Sequence, residues 1–254
     1  MLVVRDIAGL LDGMTIIALV TGANRGIGRA IAEQLAARGA TVLVAGRDLD
    51  RCAEAAATIG PQAHPVPLDV TVQSSVDAAA GLVRQRFGRL DVLVNNAGVG
   101  GRIGVAPSAA DIDEIQAVFD TNVFGVIRMT NAMLPLLRHS PAGRIVNVSS
   151  SVGSMTRMSD PTHYFAALPA VASYPPTKSA LNALTVQYAK ELRGNGILVN
   201  AADPGACATD FTRALGRKID RTAAQGAAIA VRLALLPADG PTGGLFNDEG
   251  AVPW

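Results

Sequence analysis

Tyr174 and Lys178 stand four residues apart in Tyr174-Pro175-Pro176-Thr177-Lys178, a stretch that reads as the start of a helix. Residues at that spacing share a helix face, one turn apart. An ammonium beside a phenol favours the phenolate and lowers the phenol pKa. Such a tyrosine can give a proton to a developing alkoxide, which is what hydride transfer to a carbonyl requires. The spacing alone is common, so its weight comes from its surroundings. The other chemistry-bearing stretch is Thr21-Gly22-Ala23-Asn24-Arg25-Gly26-Ile27-Gly28. Its glycines let the backbone turn tightly and approach a pyrophosphate. A helix beginning there offers free N–H groups and a partial positive charge. The spacing is Gly-x-x-x-Gly-x-Gly, and the Gly-Lys-Ser/Thr ending of a P-loop is missing, which argues against an NTPase.

Positioning such groups needs a regular scaffold, and the pattern predicts one. Short β-branched runs at 15–20, 41–45, 63–67, 92–94, 144–148 and 197–201 read as strands, with a last one at 244–246. Helical patterns fill 27–38, 49–59, 72–87, 110–119, 123–138, 175–193 and 223–235, several closed by Gly or Gly-Pro. This alternation implies right-handed βαβ crossovers and a parallel sheet of about seven strands with helices on both faces. The expected fold class is α/β, a single doubly wound Rossmann-type domain over 15–254. No linker, repeat or low-complexity tract interrupts it.

Bulk properties narrow the function classes. The chain has 254 residues, 49% of them hydrophobic, enough for a large core. Net charge is +1, so no electrostatic footprint for nucleic acid or an anionic membrane is expected. No run of 18 apolar residues occurs, so no membrane span is predicted. Residues 1–14 carry Arg5, Asp6 and Asp12 and read as an N-terminal extension rather than a signal peptide, with Met14 as an alternative start. The expected location is the cytoplasm, with Cys52 and Cys207 as free thiols and no metal site.

Taken together, TGANRGIG, Asn95-Asn96-Ala97-Gly98 and Tyr174-Pro175-Pro176-Thr177-Lys178 resemble the short-chain dehydrogenase/reductase family, over about 15–246. The resemblance implies a catalytic set of Asn122, Ser150, Tyr174 and Lys178. Ser150-Ser151-Val152-Gly153 matches the family's serine pattern, so Ser150 would hold the substrate oxygen. Ser149 and Ser151 are expected to satisfy the turn backbone. Asn122 resembles the asparagine that positions a water for a proton relay through Lys178, and its alternative role is a helix N-cap. Gly22, Asn24, Arg25, Gly26, Ile27 and Gly28 would cradle the pyrophosphate. By the same resemblance Asp69 and Val70 would flank the adenine, and Asn96, Ala97 and Gly98 would pass the adenosine ribose. Tyr174 and Lys178 would reach the nicotinamide ribose. Pro204, Gly205 and Thr209 would lie over the nicotinamide.

The second strand ends Val44-Ala45-Gly46-Arg47. An acid at its end would accept from a free ribose 2′-OH and repel a 2′-phosphate. Here that position is Gly46, followed by Arg47, which can fork onto a phosphate. With Arg25 as a second cation, NADP(H) is the expected cofactor, although Asp48 could also align as the acid. The implied activity is reduction of a ketone or aldehyde. The reverse alcohol oxidation and a non-catalytic NADP(H)-binding sensor are the alternatives.

The chain departs from the family between Ser150 and Tyr174, where 154–173 is longer than usual. In this it resembles the carbonyl-reductase-like branch. His163, Tyr164 and Phe165 in that segment, with Phe211, are the expected substrate-pocket residues. The segment after Asp210 is short, which suggests an open pocket for bulky or varied carbonyl compounds. The expected partner is a small carbonyl or alcohol. The sequence leaves monomer and homo-oligomer open, because the insertion could block the family's pairing surface.

Overall fold

The computed structural model describes residues 13–213, 216 and 218–254, so most of the N-terminal extension, and Ala214 and Leu215 of the segment after Asp210, lie outside the described residues. The β-branched runs become strands because each can bury both faces. β1 (Ile17–Thr21), β2 (Thr41–Gly46), β4 (Val92–Asn95), β5 (Arg144–Val148) and β6 (Leu198–Ala202) are buried along almost their whole length. β3 (Ala63–Pro67) is the edge strand and holds both prolines of its run, as an edge allows. β7 (Leu245–Asn247) and β8 (Gly250–Val252) complete a sheet of order β3-β2-β1-β4-β5-β6-β7-β8.

Seven strands are parallel, and β8 returns antiparallel to β7, with Asn247 opposite Gly250. The seven parallel strands are those expected, and β8 adds an antiparallel edge to them. Asp248-Glu249 is a two-residue loop, which can join only antiparallel neighbours. Asn247 Oδ1 holds it by accepting from the Glu249 and Gly250 amides.

Alternate residues of each strand feed opposite faces. Ala18, Val20, Val42 and Val44 pack under α1 (Gly26–Ala36) and α9 (Ala223–Ala234). Ile17, Leu19, Leu43 and Leu93 pack under α3 (Gln73–Phe87), α5 (Gly125–Leu137) and α7 (Tyr174–Leu192). α2 (Leu49–Ile59) follows β2, and Asp48 caps it by accepting from the Arg51 amide. α4 (Ile112–Phe119) runs into α5 through a π-helical turn, Asp120–Phe124. Short helices α6 (Met155–Ser159) and α8 (Asp210–Arg213) were not anticipated from the sequence. Neither has enough residues to show a helical period.

One charge is sealed in the base of the sheet. Arg144 is buried, and its guanidinium donates to the carbonyls of Leu236 and Gly143. Burial draws its pKa down to about 10. The bonds tie the exit of α9 to β5. Strand order reverses between β1 and β4, so a crevice opens at their carboxyl ends, where ligands of such sheets bind. Among the described residues no helix is long and apolar enough to cross a membrane, and no cluster of His, Cys, Asp and Glu could hold a metal ion.

Candidate active site

The glycine turn leads from β1 into α1. Gly22 and Gly26 adopt positive φ, +63° and +57°. A Cβ at Gly28 would clash with Asn96 Nδ2 and with the Gly22 carbonyl. The Asn96 amide donates to the carbonyls of Thr21 and Gly22, so Asn96 locks the turn against the end of β4. At the start of α1, Arg25 is the N-cap residue but makes no capping bond, and the first turn holds no acid. The helix therefore presents amide donors and a partial positive charge that no side chain of its own neutralises. This donor set fits a dinucleotide pyrophosphate. Thr209 lies against Gly26, within 3.6 Å of a Cβ there, and a cleft of about 450 Å³ opens between this turn and residues 208–213.

The two arginines expected at the ribose end part company. Arg25 pairs with Asp210 at 3.0 Å, tying the glycine turn to α8. Arg47 is exposed and near Asp69. Burial pushes the Asp69 carboxyl up, but two hydrogen bonds from Thr71 and the Arg47 charge outweigh it and hold the group below its usual range. Val70 packs against Gly125.

At the other end of the crevice, Tyr174 opens α7, with Pro175 and Pro176 filling its first turn, where a missing N–H costs nothing. Its hydroxyl lies beside the Ser150 side chain, whose influence favours the ionised phenol. Lys178 sits one turn on, buried, with Nζ 5.4 Å from the Tyr174 ring centroid and donating to the Val148 carbonyl at 2.7 Å. The arrangement thus places Ser150, Tyr174 and Lys178 at the carboxyl end of β5. The electrostatics differ from the expectation. Burial, and then the Asp203 carboxylate, push the Tyr174 phenol above its ordinary value, against the opposing influence of Ser150. Burial lowers Lys178 to about 8, with Asp203 opposing. Lys178 has no depressing effect on Tyr174 large enough to outweigh burial.

Asn122 is not an N-cap. It lies buried in the π-helical turn, a deformation frequent at functional sites. Its side chain accepts from the Val99 amide at 2.9 Å and donates to the Val99 carbonyl at 2.8 Å and to Thr177 Oγ1 at 3.1 Å. Thr177 in turn donates to the Tyr174 carbonyl. Asn122 is thereby braced between the loop after β4 and the first turn of α7. Gly98 lies against Asn122 and Lys178, where a Cβ would be 3.3 and 3.9 Å from their side-chain atoms.

Ser149 and Ser151 serve side chains rather than turn backbone. Ser149 donates to Asn182 Oδ1, and Ser151 donates to Asp203 while accepting from Arg157. Asp203, Arg157 and Thr177 were not assigned from the sequence. The signal for Asp203 was its place, directly after β6 at the carboxyl end of the sheet. Asp203 also accepts from the Gly205 amide at 2.9 Å, fixing the Pro204-Gly205 turn. Cys207 is buried and packed, its thiol pushed up mainly by burial.

The expected pocket residues separate. Phe211 on α8 sets its ring 5.4 Å from the Tyr174 ring and over Gly100. Tyr164 is 70% exposed on a 3-10 turn, Tyr164–Ala167. His163 caps that turn, its Nδ1 accepting from the Phe165 amide. Phe165, at 4% exposure, is a buried anchor against His163 and Tyr164 rather than an open wall.

A glycine turn at the switch point of a doubly wound sheet, facing a Ser–Tyr–Lys cluster, defines a nucleotide-dependent oxidoreductase architecture. The family profile described as short chain dehydrogenase matches residues 16–220. The chain is 40% identical over 224 residues to the short-chain dehydrogenase anuI of Penicillium roqueforti, covering 85% of this chain and 87% of that one. NADPH-bound carbonyl reductase from chicken fatty liver superposes with a TM-score of 0.82 at 29% identity, covering 95% of this chain and all of that one (100%). The 3-ketoacyl-(acyl-carrier-protein) reductase of Brucella melitensis, complexed with NADH, gives 0.79 at 28%, covering 92% and 96%. The chain belongs to the short-chain dehydrogenase/reductase family and is an oxidoreductase of that family, which binds NAD(P)(H).

Proposed function

We propose that this protein reduces a ketone or aldehyde to an alcohol with NADPH, with Tyr174 as proton donor. The observation that carries the reading is the grouping of the Tyr174 hydroxyl beside the Ser150 side chain with the buried Lys178 one helical turn on. The nicotinamide, when bound, supplies the hydride. Ser150 orients the carbonyl oxygen, and Tyr174 protonates it. Lys178 stabilises the tyrosinate that results, and burial makes that charge effect stronger. Asn122 keeps the loop after β4 and the start of α7 in register, so that Tyr174 and Lys178 hold their relative places. The same residues run the reverse oxidation, and the cofactor ratio sets direction.

Preference for NADP(H) is supported by Gly46 and Arg47 at the end of β2. No carboxylate is carried at position 46 to repel a 2′-phosphate, and the exposed guanidinium of Arg47 follows it. Arg25, bonded to Asp210, is a clasp in this reading and Arg47 the principal phosphate ligand. Phe211 and the exposed Tyr164 suit a bulky, apolar carbonyl compound. Two unpaired buried thiols suit a cytoplasmic setting. The test is NADPH oxidation across a panel of ketones and aldehydes with NADH in parallel, on wild type and Arg47→Ala. The variant should lose far more with NADPH than with NADH; equal loss refutes the phosphate role.

A further inference from the structure

Gly46 needs an explanation that its backbone does not supply. It is not among the glycines with positive φ, so any L-residue could adopt its extended conformation. What forbids a side chain is its neighbour. A Cβ at Gly46 would lie 2.9 Å from Cys52 Sγ, and only 3.7 Å from Asn24 Oδ1. Non-bonded heavy atoms in good contact sit about 3.5–4 Å apart, so the first approach is a clash and the second an ordinary contact. Cys52 lies in the first turn of α2, fully buried in the core cluster that also holds Val44 and Ala23. Its side chain has one heavy-atom torsion, and a helix disfavours one of the three wells. The sulfur therefore has little room to withdraw.

We propose that Cys52 is a specificity-determining residue for the cofactor. Its sulfur occupies the space that a side chain at 46 needs, which keeps an acid off the end of β2 and leaves Arg47 to meet the ribose substituent. Cys52 acts through Gly46, so it is a positioning residue. The inference rests on the NADP(H) reading, but its steric half is testable without it.

Two measurements separate the parts. Urea denaturation of the cofactor-free protein compares Gly46→Ala in the wild-type and Cys52→Ala backgrounds. The loss in midpoint should be large with Cys52 present and mostly recovered without its sulfur; an equal loss in both overturns the contact. Gly46→Asp is then assayed for kcat/KM with NADH and NADPH in both backgrounds. The swing toward NADH should be roughly tenfold or more greater with Cys52→Ala. An equal swing overturns the specificity role even if the stability coupling is found. A wild-type enzyme that prefers NADH overturns the NADP(H) reading instead, and the denaturation pair still decides the contact.

Discussion

In the proposed reaction Tyr174 acts through one oxygen atom, and its removal is the sharpest residue-scale test. Tyr174→Phe should lower kcat by about 10²–10⁴-fold, the usual worth of a positioned proton donor. Cofactor affinity by fluorescence titration should hold, since Lys178 and the glycine turn remain. Near-normal turnover would overturn the assignment. Lys178 supplies a pH test. Its folded pKa of about 8 lies below its ordinary 10.5. Between those values the unfolded chain holds a proton that the folded protein has released, so stability rises with pH across that window. Below about pH 8 both states are charged and the burial penalty is fully present. Lys178→Met should flatten the stability curve between pH 8 and 10.5, read by urea denaturation at a series of pH values. Reductive kcat/KM of the wild type should fall as pH rises through about 8, as the ammonium is lost. An unchanged stability slope in the variant would refute the assignment of that titration.

At the scale of elements, the site depends on how closely α7 approaches the serine turn. Gly153 is the point of contact, where a Cβ would stand 2.6 Å from the Lys178 carbonyl carbon and 2.8 Å from its oxygen. These are backbone atoms of a helix and cannot swing aside. Gly153→Ala should therefore displace α7 from Ser150, costing about 1–3 kcal/mol in stability. It should also lower kcat more than it raises the cofactor KM, since the glycine turn is remote from the change. A variant with normal kcat would show that α7 tolerates the shift. The π-helical turn works in the same sense from the other side. It carries Asn122 inward, where its amide bonds Val99 and Thr177, so the start of α5, the loop after β4 and α7 are tied together.

At the scale of the molecule, two cores on opposite faces hold the sheet, and Arg144 joins the sheet to the helix layer on one of them. Arg144→Met would leave the Leu236 and Gly143 carbonyls without these donors in a buried place, though it also removes a buried charge. The unsatisfied carbonyls should dominate, destabilising the fold by about 1–3 kcal/mol. That corresponds to a fall of roughly 2–4 °C in Tm per kcal/mol for a chain of this size. Activity per folded molecule should stay unchanged, because Arg144 lies at the amino end of β5, away from the crevice. A drop in kcat at constant Tm would contradict this division between fold and site.

The order of strands and helices was legible in the sequence because short apolar, largely β-branched runs alternate with longer helical stretches, several of them closed by Gly or Gly-Pro. The glycine turn was legible from its place between a strand and a helix, and the Tyr174–Lys178 pair from its helical spacing taken together with the motifs around it. Tertiary structure decided the rest, because those features join residues distant in sequence or too few for a period. The clash of a side chain at Gly46 with Cys52 arises only when α2 folds back on β2. The rise of the Tyr174 pKa needs the burial and the Asp203 carboxylate that the packed crevice supplies. Arg25 looked like a phosphate ligand by position, and its ion pair with Asp210, 185 positions away, is visible only in the fold. Phe165 read as pocket wall by type and became core by packing. Sequence specified the parts of the proposed proton-transfer site, Tyr174 and Lys178, while their charge states follow from low-dielectric surroundings that only the folded chain creates.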